Sequence, residues 1–338
     1  MKRRLALVLI AGIVAAGSAF AEEQKIGRPV RVVSIGFSPR PLEQVAPLVA
    51  REAARGTDLI VLPETFTGQT APEALDGASV TAMAAIAKQH HTYIVCPIDR
   101  TDGGKRLNTA VLLDREGKIT GLYNKVFPFW SEYDLKPGVD VGDEAPVFET
   151  DFGRLGMAIC FDANYPEVWQ RMADRGAELV AFSSAYSAGM SLQAHAINGR
   201  FYIVSSTMRA DCFAWDISGE LLLYEKSNDV NISRLTLDLD RCIFHQDFNM
   251  NKHDKLLKEH ADDVMQDRWL DREAWFVLKA KRPGVSARAL AHEYGMEELR
   301  DYITRSRYEI DVKRGWPFAE KVRREQEAAS KAKHAAGK

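Results

Sequence analysis

The chain has 338 residues, 45 Lys and Arg against 47 Asp and Glu for a net charge of −2, and 46% hydrophobic residues. That content excludes disorder, while 23 Gly, 13 Pro and 4 Cys exclude a collagen-like chain and a disulfide scaffold. The balanced charge argues against a nucleic-acid partner.

Lys2, Arg3 and Arg4 precede an apolar run over residues 5–16, and Ala19-Phe20-Ala21 offers small residues at a cleavage site. This is the pattern of a secretory leader, and the run is short for a membrane span. Residues 1–21 are expected to be removed after Ala21, leaving a secreted, periplasmic protein without stable membrane insertion.

Residues 30–37 read as a strand. Residues 42–55 have helical spacing, with Leu42, Val45, Leu48 and Val49 on one face and Gly56 as the stop. Leu59-Ile60-Val61-Leu62 is a strand ended by Pro63, residues 79–89 an Ala-rich helix, and residues 93–96 the next strand. Residues 108–113 and 119–123 read as a hairpin around Arg115-Glu116-Gly117-Lys118. Strands at 155–160, 179–182 and 202–206 then alternate with helices at 166–175 and 193–200. The alternation predicts an α/β fold with a mixed sheet, and the wholly apolar runs predict strands covered on both faces. No internal repeat and no linker is evident. Residues 22–242 are expected to form the main domain. Residues 243–338, with 20 bases and 17 acids, read as a charged, mainly helical extension packing on that domain or on a partner subunit. Trp269, Leu270, Trp275, Phe276, Val277 and Leu278 would anchor it, and Leu290, Tyr294, Leu299 and Ile303 suggest one amphipathic helix. Residues 325–338 are expected to fray.

Three polar residues end apolar strands: Glu64, Lys125 and Cys160. A thiol at a strand-to-helix turn meets outward-pointing backbone N–H groups, which lower its pKa and can hold an oxyanion. Each residue alone is weak evidence, since a lone Cys after a strand is more often a small buried hydrophobe. In context they are specific. Asp58-Leu59-Ile60-Val61-Leu62-Pro63-Glu64, Tyr123-Asn124-Lys125-Val126-Phe127 and Gly156-Met157-Ala158-Ile159-Cys160-Phe161-Asp162 together resemble the carbon–nitrogen hydrolase, or nitrilase, superfamily.

The resemblance implies a four-layer α-β-β-α sandwich of two mixed sheets, a homodimer or higher homo-oligomer, and a Glu-Lys-Cys set. Cys160 would be the nucleophile, Glu64 the general base, and Lys125 with the Phe161 backbone N–H the oxyanion holders. Glu132, between the Lys and Pro137-Gly138, matches a second glutamate that often assists. Asp162 reads as a residue that orients the turn. Phe161-Asp162 after the Cys, rather than Trp-Glu, favours an amidase-type enzyme on a small non-peptide amide or N-carbamoyl compound. The alternatives are a nitrilase or a non-catalytic binding homologue. No cofactor or metal is implied. Trp130, Tyr133, Tyr186, Met190 and His195 are candidate pocket residues. Cys96 reads as packed, Cys212 and Cys242 are left open to pairing, and His90-His91 reads as a helix C-terminal cation.

Overall fold

Side chains along the first strand alternate between two different cores. The computed structural model describes residues 25–68, 71–134 and 138–315; the expected leader and the stretch 325–338 lie outside them. The chain begins β1 (Pro29–Phe37), α1 (Leu42–Ala53), β2 (Leu59–Val61), α2 (Ala78–His90), β3 (Tyr93–Asp102), β4 (Lys105–Leu113) and β5 (Ile119–Asn124). A short helix α3 (Trp130–Asp134) and an edge strand β6 (Val147–Glu149) follow. Then come β7 (Arg154–Ile159), α4 (Pro166–Asp174), β8 (Leu179–Ser184), α5 (Gly189–Gly199), β9 (Tyr202–Thr207), β10 (Asp211–Trp215) and β11 (Leu221–Lys226). Finally β12 (Val230–Asp238) returns to pair antiparallel with β1.

The first sheet has the order β12-β1-β2-β3-β4-β5 and the second β11-β10-β9-β8-β7-β6. Val30, Val32, Leu59, Val61, Val95 and Leu112 face the core shared with the second sheet, while Val33, Ile35, Ile60, Leu62, Ile94 and Val111 face the core under α1 and α2. This two-residue period makes the strands apolar at every position, because each face has its own cover. Ser34 Oγ donates to the Ser205 carbonyl at 2.7 Å, Ser206 Oγ to Ile35 at 2.9 Å and Ser183 Oγ to Leu62 at 2.7 Å, so hydroxyls cross between the sheets at satisfied positions.

The two sheets repeat one plan. Strand–helix–strand–helix–strand–strand–strand occurs from β1 to β5 and again from β7 to β11, with parallel pairing among the first three strands and antiparallel pairing after them. Residue identities do not repeat, because either core accepts any apolar side chain of suitable volume. The strand predicted over 93–96 runs on to Asp102 and forms a hairpin with β4 through Gly103 and Gly104, both at positive φ. Its polar half hid it: Asp99 and Arg106 pair across the hairpin at 2.7 Å.

Among its described residues, the C-terminal segment carries an unexpected small sheet beside its helices. It contains β13 (Cys242–His245), α6 (Met250–Glu259), β14 (Val264–Leu270), β15 (Trp275–Ala280), α7 (Ala287–Glu293) and α8 (Leu299–Arg314), with an antiparallel sheet in the order β13-β15-β14. The predicted anchors at 269–270 and 275–278 are strand residues. Phe276 and Leu278 enter a small core with Cys242 and Phe244, whereas Val277 joins Ile243 and Leu299 in the main core. The single helix expected through residues 290–303 is two helices, broken around Gly295 at φ +70°. All four cysteines are free and buried; Cys212 sits in the main core and Cys242 in the small one, so they do not pair. His90 closes α2, and His91 follows in the left-handed conformation. Among the described residues, no helix is long and apolar enough to cross a membrane.

Arg241 joins the two parts. It pairs with buried Asp216, with Asp267 of β14 at 2.7 Å, and donates to Tyr202 Oη at 2.8 Å. Arg241→Met leaves the buried Asp216 carboxylate uncompensated, while Asp267 keeps Lys279 at 2.6 Å, and should cost about 3 kcal/mol of stability, read from urea unfolding. A loss under about 1 kcal/mol would show that this junction contributes little.

Candidate active site

Glu64 follows β2 in a turn whose next residue, Thr65, has φ +39°; Lys125 follows β5 directly, and Cys160 follows β7 directly. The Lys125 ammonium, 1% exposed, donates to Glu64 Oε1 at 2.8 Å and to Glu132 Oε2 at 2.6 Å. Asn108 Nδ2 donates to the same two carboxylates, at 2.8 Å to Glu64 Oε1 and 3.0 Å to Glu132 Oε1. The four side chains therefore close a ring of hydrogen bonds. The Phe129 N–H adds a donor to Glu132 Oε2 at 2.8 Å, and the Ala185 N–H one to Glu64 Oε2 at 3.0 Å. Glu64 Oε1 thus has two donors and Oε2 one, which leaves Oε2 the oxygen better placed to take a proton. Burial alone would push the Lys125 ammonium toward deprotonation, but the Glu64 carboxylate, and with it Glu132, outweigh it and hold the cation above its ordinary range.

Cys160 has φ +47°, a conformation that costs a non-glycine residue about 1 kcal/mol or more. The fully buried Asp162 holds it there. Its carboxylate accepts from the Ile159 N–H at 3.1 Å, from Tyr123 Oη at 2.7 Å and from the Phe127 N–H at 2.8 Å. One side chain therefore ties the residue before the thiol to the loop beyond Lys125. Burial pushes the Asp162 carboxyl up to about 6 against the pull of those three donors.

The thiol differs from expectation. Burial, and next the Glu64 carboxylate, push Cys160 up to about 12, against Lys125, the Ala185 N–H and the Ser184 hydroxyl. Backbone donors at the turn are thus outweighed, and the resting group is a thiol.

Phe161 follows Cys160 in a 3₁₀ turn, Cys160–Asn164. Tyr186 is half-buried and its hydroxyl accepts from Asn164 Nδ2 at 3.2 Å. Trp130 and Tyr133 are exposed on α3, and Met190 is exposed on α5. His195, expected to contact substrate, is instead buried: its ring stacks on Trp169 at 4.3 Å and Nε2 bonds the Ala163 carbonyl at 2.8 Å, bracing the turn from behind. Burial lowers its pKa. Sequence reasoning missed Asn108, Ser184 and Ala185. The available signal was a polar side chain inside an apolar run, as in Leu107-Asn108-Thr109 and Phe182-Ser183-Ser184. Among the described residues, no group of three or more His, Cys, Asp or Glu is placed to hold a metal ion. A cavity of about 680 Å³ lies elsewhere, at the junction with the C-terminal segment, where Arg28 and Arg288 face Glu178.

The family model for carbon-nitrogen hydrolases matches residues 35–243, which include every residue of this ring and the thiol. The chain belongs to the carbon-nitrogen hydrolase family. It is 32% identical over 198 residues to a hydrolase of Pseudomonas protegens, covering 52% of this chain and 68% of that one. It is 28% identical over 155 residues to the omega-amidase NIT2 of Homo sapiens, covering 40% and 55%. These matches take in between about half and two thirds of the relatives' own length. The Nit3 protein of Saccharomyces cerevisiae, a member of the nitrilase superfamily, shares the fold with a TM-score of 0.57 at 19% identity, over 63% of this chain and 91% of that one. The fold is thus the α-β-β-α sandwich of this superfamily.

The Asp162 carboxyl gives a signed test. Its folded pKa, about 6, lies above the ordinary 3.8, so its contribution to native stability is complete below pH 4 and is lost as pH rises through 6. The Tm of the wild type relative to Asp162→Asn should therefore improve as pH falls from 6.5 to 4. A difference that stays flat across that window would show that Asp162 is not perturbed.

Proposed function

We propose that this protein hydrolyses the C–N bond of a small non-peptide amide or N-carbamoyl compound through a thioester on Cys160. The observation that carries this is the closed ring that fixes Glu64 and Lys125 together beside a strained, buried thiol. The relatives include both a nitrilase and an omega-amidase, so the preference for amide over nitrile rests on Phe161-Asp162 following Cys160.

The sulfur attacks the amide carbonyl carbon while its proton passes to Glu64 Oε2. Because the resting thiol is held protonated, attack and proton transfer belong to one step. The C=O electron pair moves onto oxygen, where the Lys125 ammonium and the Phe161 N–H stabilise it. Lys125 cannot be the base, since both neighbouring carboxylates keep it cationic. Glu64 then protonates the departing nitrogen, and the C–N bond breaks to leave the thioester. Water gives its proton to Glu64 and adds to the thioester carbon; the C–S bond then breaks, Glu64 returns the proton to sulfur, and the acid leaves. Glu132 and Asn108 orient Lys125 and Glu64 throughout. On residues 1–21 we also place the mature enzyme outside the cytoplasm; intact mass of the purified mature chain tests cleavage after Ala21.

Ammonia or amine release is measured on a panel of amides, carbamoyl compounds and nitriles. Cys160→Ala should lower the rate at least about 10³-fold, and a mass adduct at Cys160 should appear on rapid acid quench of the wild type. Wild-type turnover in the Ala variant would sink the covalent mechanism, and ammonia from nitriles alone would select a nitrilase. Iodoacetamide labelling of Cys160 should keep rising, roughly tenfold per pH unit, from pH 7 to 10. A plateau below pH 8 would mean the resting group is already a thiolate.

A further inference from the structure

An unbroken ladder of aromatic rings joins the segment after Lys125 to the turn that carries Cys160. Phe127 stacks on Tyr165 with centroids 3.6 Å apart; Tyr165 meets Phe161 edge-on at 5.5 Å; Phe161 meets Phe129 at 5.2 Å; Phe129 meets Trp130 at 5.9 Å. The ladder passes through the thiol's own turn, because its middle ring, Phe161, is the next residue after Cys160. It is tied to the charged ring, because the Phe129 N–H donates to Glu132. It ends in solvent.

The solvent end is the unusual part. Helix α3 buries none of its residues, yet within five positions the chain sets out Phe129, Trp130 at 67% exposure and Tyr133 at 68%. These rings do not build the core, and grouped exposed apolar side chains mark a contact surface. The strongest charges felt at the thiol are Glu64 and Lys125, and Lys125 is already shared between two carboxylates. A substrate carboxylate would find the facing cation engaged.

We propose that this ladder is the acyl subsite, and that it selects amides whose acyl group carries an aromatic ring over short aliphatic acyl groups and over those ending in a carboxylate. The inference rests on the amide-hydrolase reading above. The acyl half is assigned because the rings come from the Cys160 turn and the Lys125 loop, the elements that bind the carbonyl carbon and its oxygen. Glu64, which protonates the departing nitrogen, is held from the other side by the Ala185 N–H after β8. Trp130 is the outermost ring and sets the preference by stacking.

The test is kcat/KM for phenylacetamide, propionamide and succinamate with wild type, Trp130→Ala and Trp130→Phe. Wild type should favour phenylacetamide over propionamide by about tenfold or more, with succinamate slowest. Trp130→Ala should lose most of that ratio, chiefly through KM, and Trp130→Phe should keep it. Equal rates on the aromatic and aliphatic amides, preference for succinamate, or an equal loss on all three in Trp130→Ala would overturn the proposal while leaving the hydrolase reading intact. If no amide is turned over, the hydrolase reading fails and the subsite is judged by binding alone. Phenylacetate, but not succinate, should then quench tryptophan fluorescence in wild type and Trp130→Phe must weaken that quench; no quench by phenylacetate would sink the subsite.

Discussion

A buried ammonium is the constraint around which the molecule is arranged. Lys125 is almost fully enclosed, and an unpaired cation there would cost several kcal/mol. The fold meets that cost with two carboxylates from distant parts of the chain, Glu64 after β2 and Glu132 on α3. Two acids around one cation would themselves repel, and Asn108 from β4 answers by donating to both. Four elements are thus committed to one hydrogen-bonded ring. A side chain removed from it leaves a buried charge or lone pair without a partner, which is why the geometry is rigid.

The second commitment is made by Asp162. A strained thiol turn would relax if nothing opposed it. Asp162 opposes it by accepting from the residue before Cys160, from Tyr123 on β5 and from Phe127 beyond Lys125. Because β5 belongs to the first sheet and β7 to the second, this carboxylate spans the interface between them. One side chain therefore belongs both to the packing of the sheets and to the site. The cost is carried by Asp162 itself, whose ionised form is disfavoured by burial.

Much of this was legible in the sequence, and the reasons differ by residue. Leu59 to Val61 and Leu155 to Ile159 announce themselves as buried strands, so the polar residues that end them stand out. Asn108 did not stand out, because a single amide within a strand reads as one polar position among apolar ones; its meaning depends on two acids brought from 44 residues before and 24 after it. The thiol's pKa was misread because the turn's donors are local and visible, whereas burial and Glu64 are tertiary. The small C-terminal sheet was missed because its strands alternate apolar residues with Lys279, Arg268 and Asp267, a charge pattern that mimics an exposed helix. His195 looked like a pocket residue by position in sequence, and only packing on Trp169 shows that it faces inward.

The buried, protonated state of Cys160 bears on the lifetime of the protein. Oxidants and disulfides react with thiolates, and a thiol held near pKa 12 supplies almost none at neutral pH. The other three cysteines are buried too, and burial raises each of their pKa values. Burial thus holds all four cysteines toward the thiol form, which reacts slowly with oxidants and disulfides. On the proposed mechanism, the sulfur gives up its proton only as it meets a carbonyl carbon.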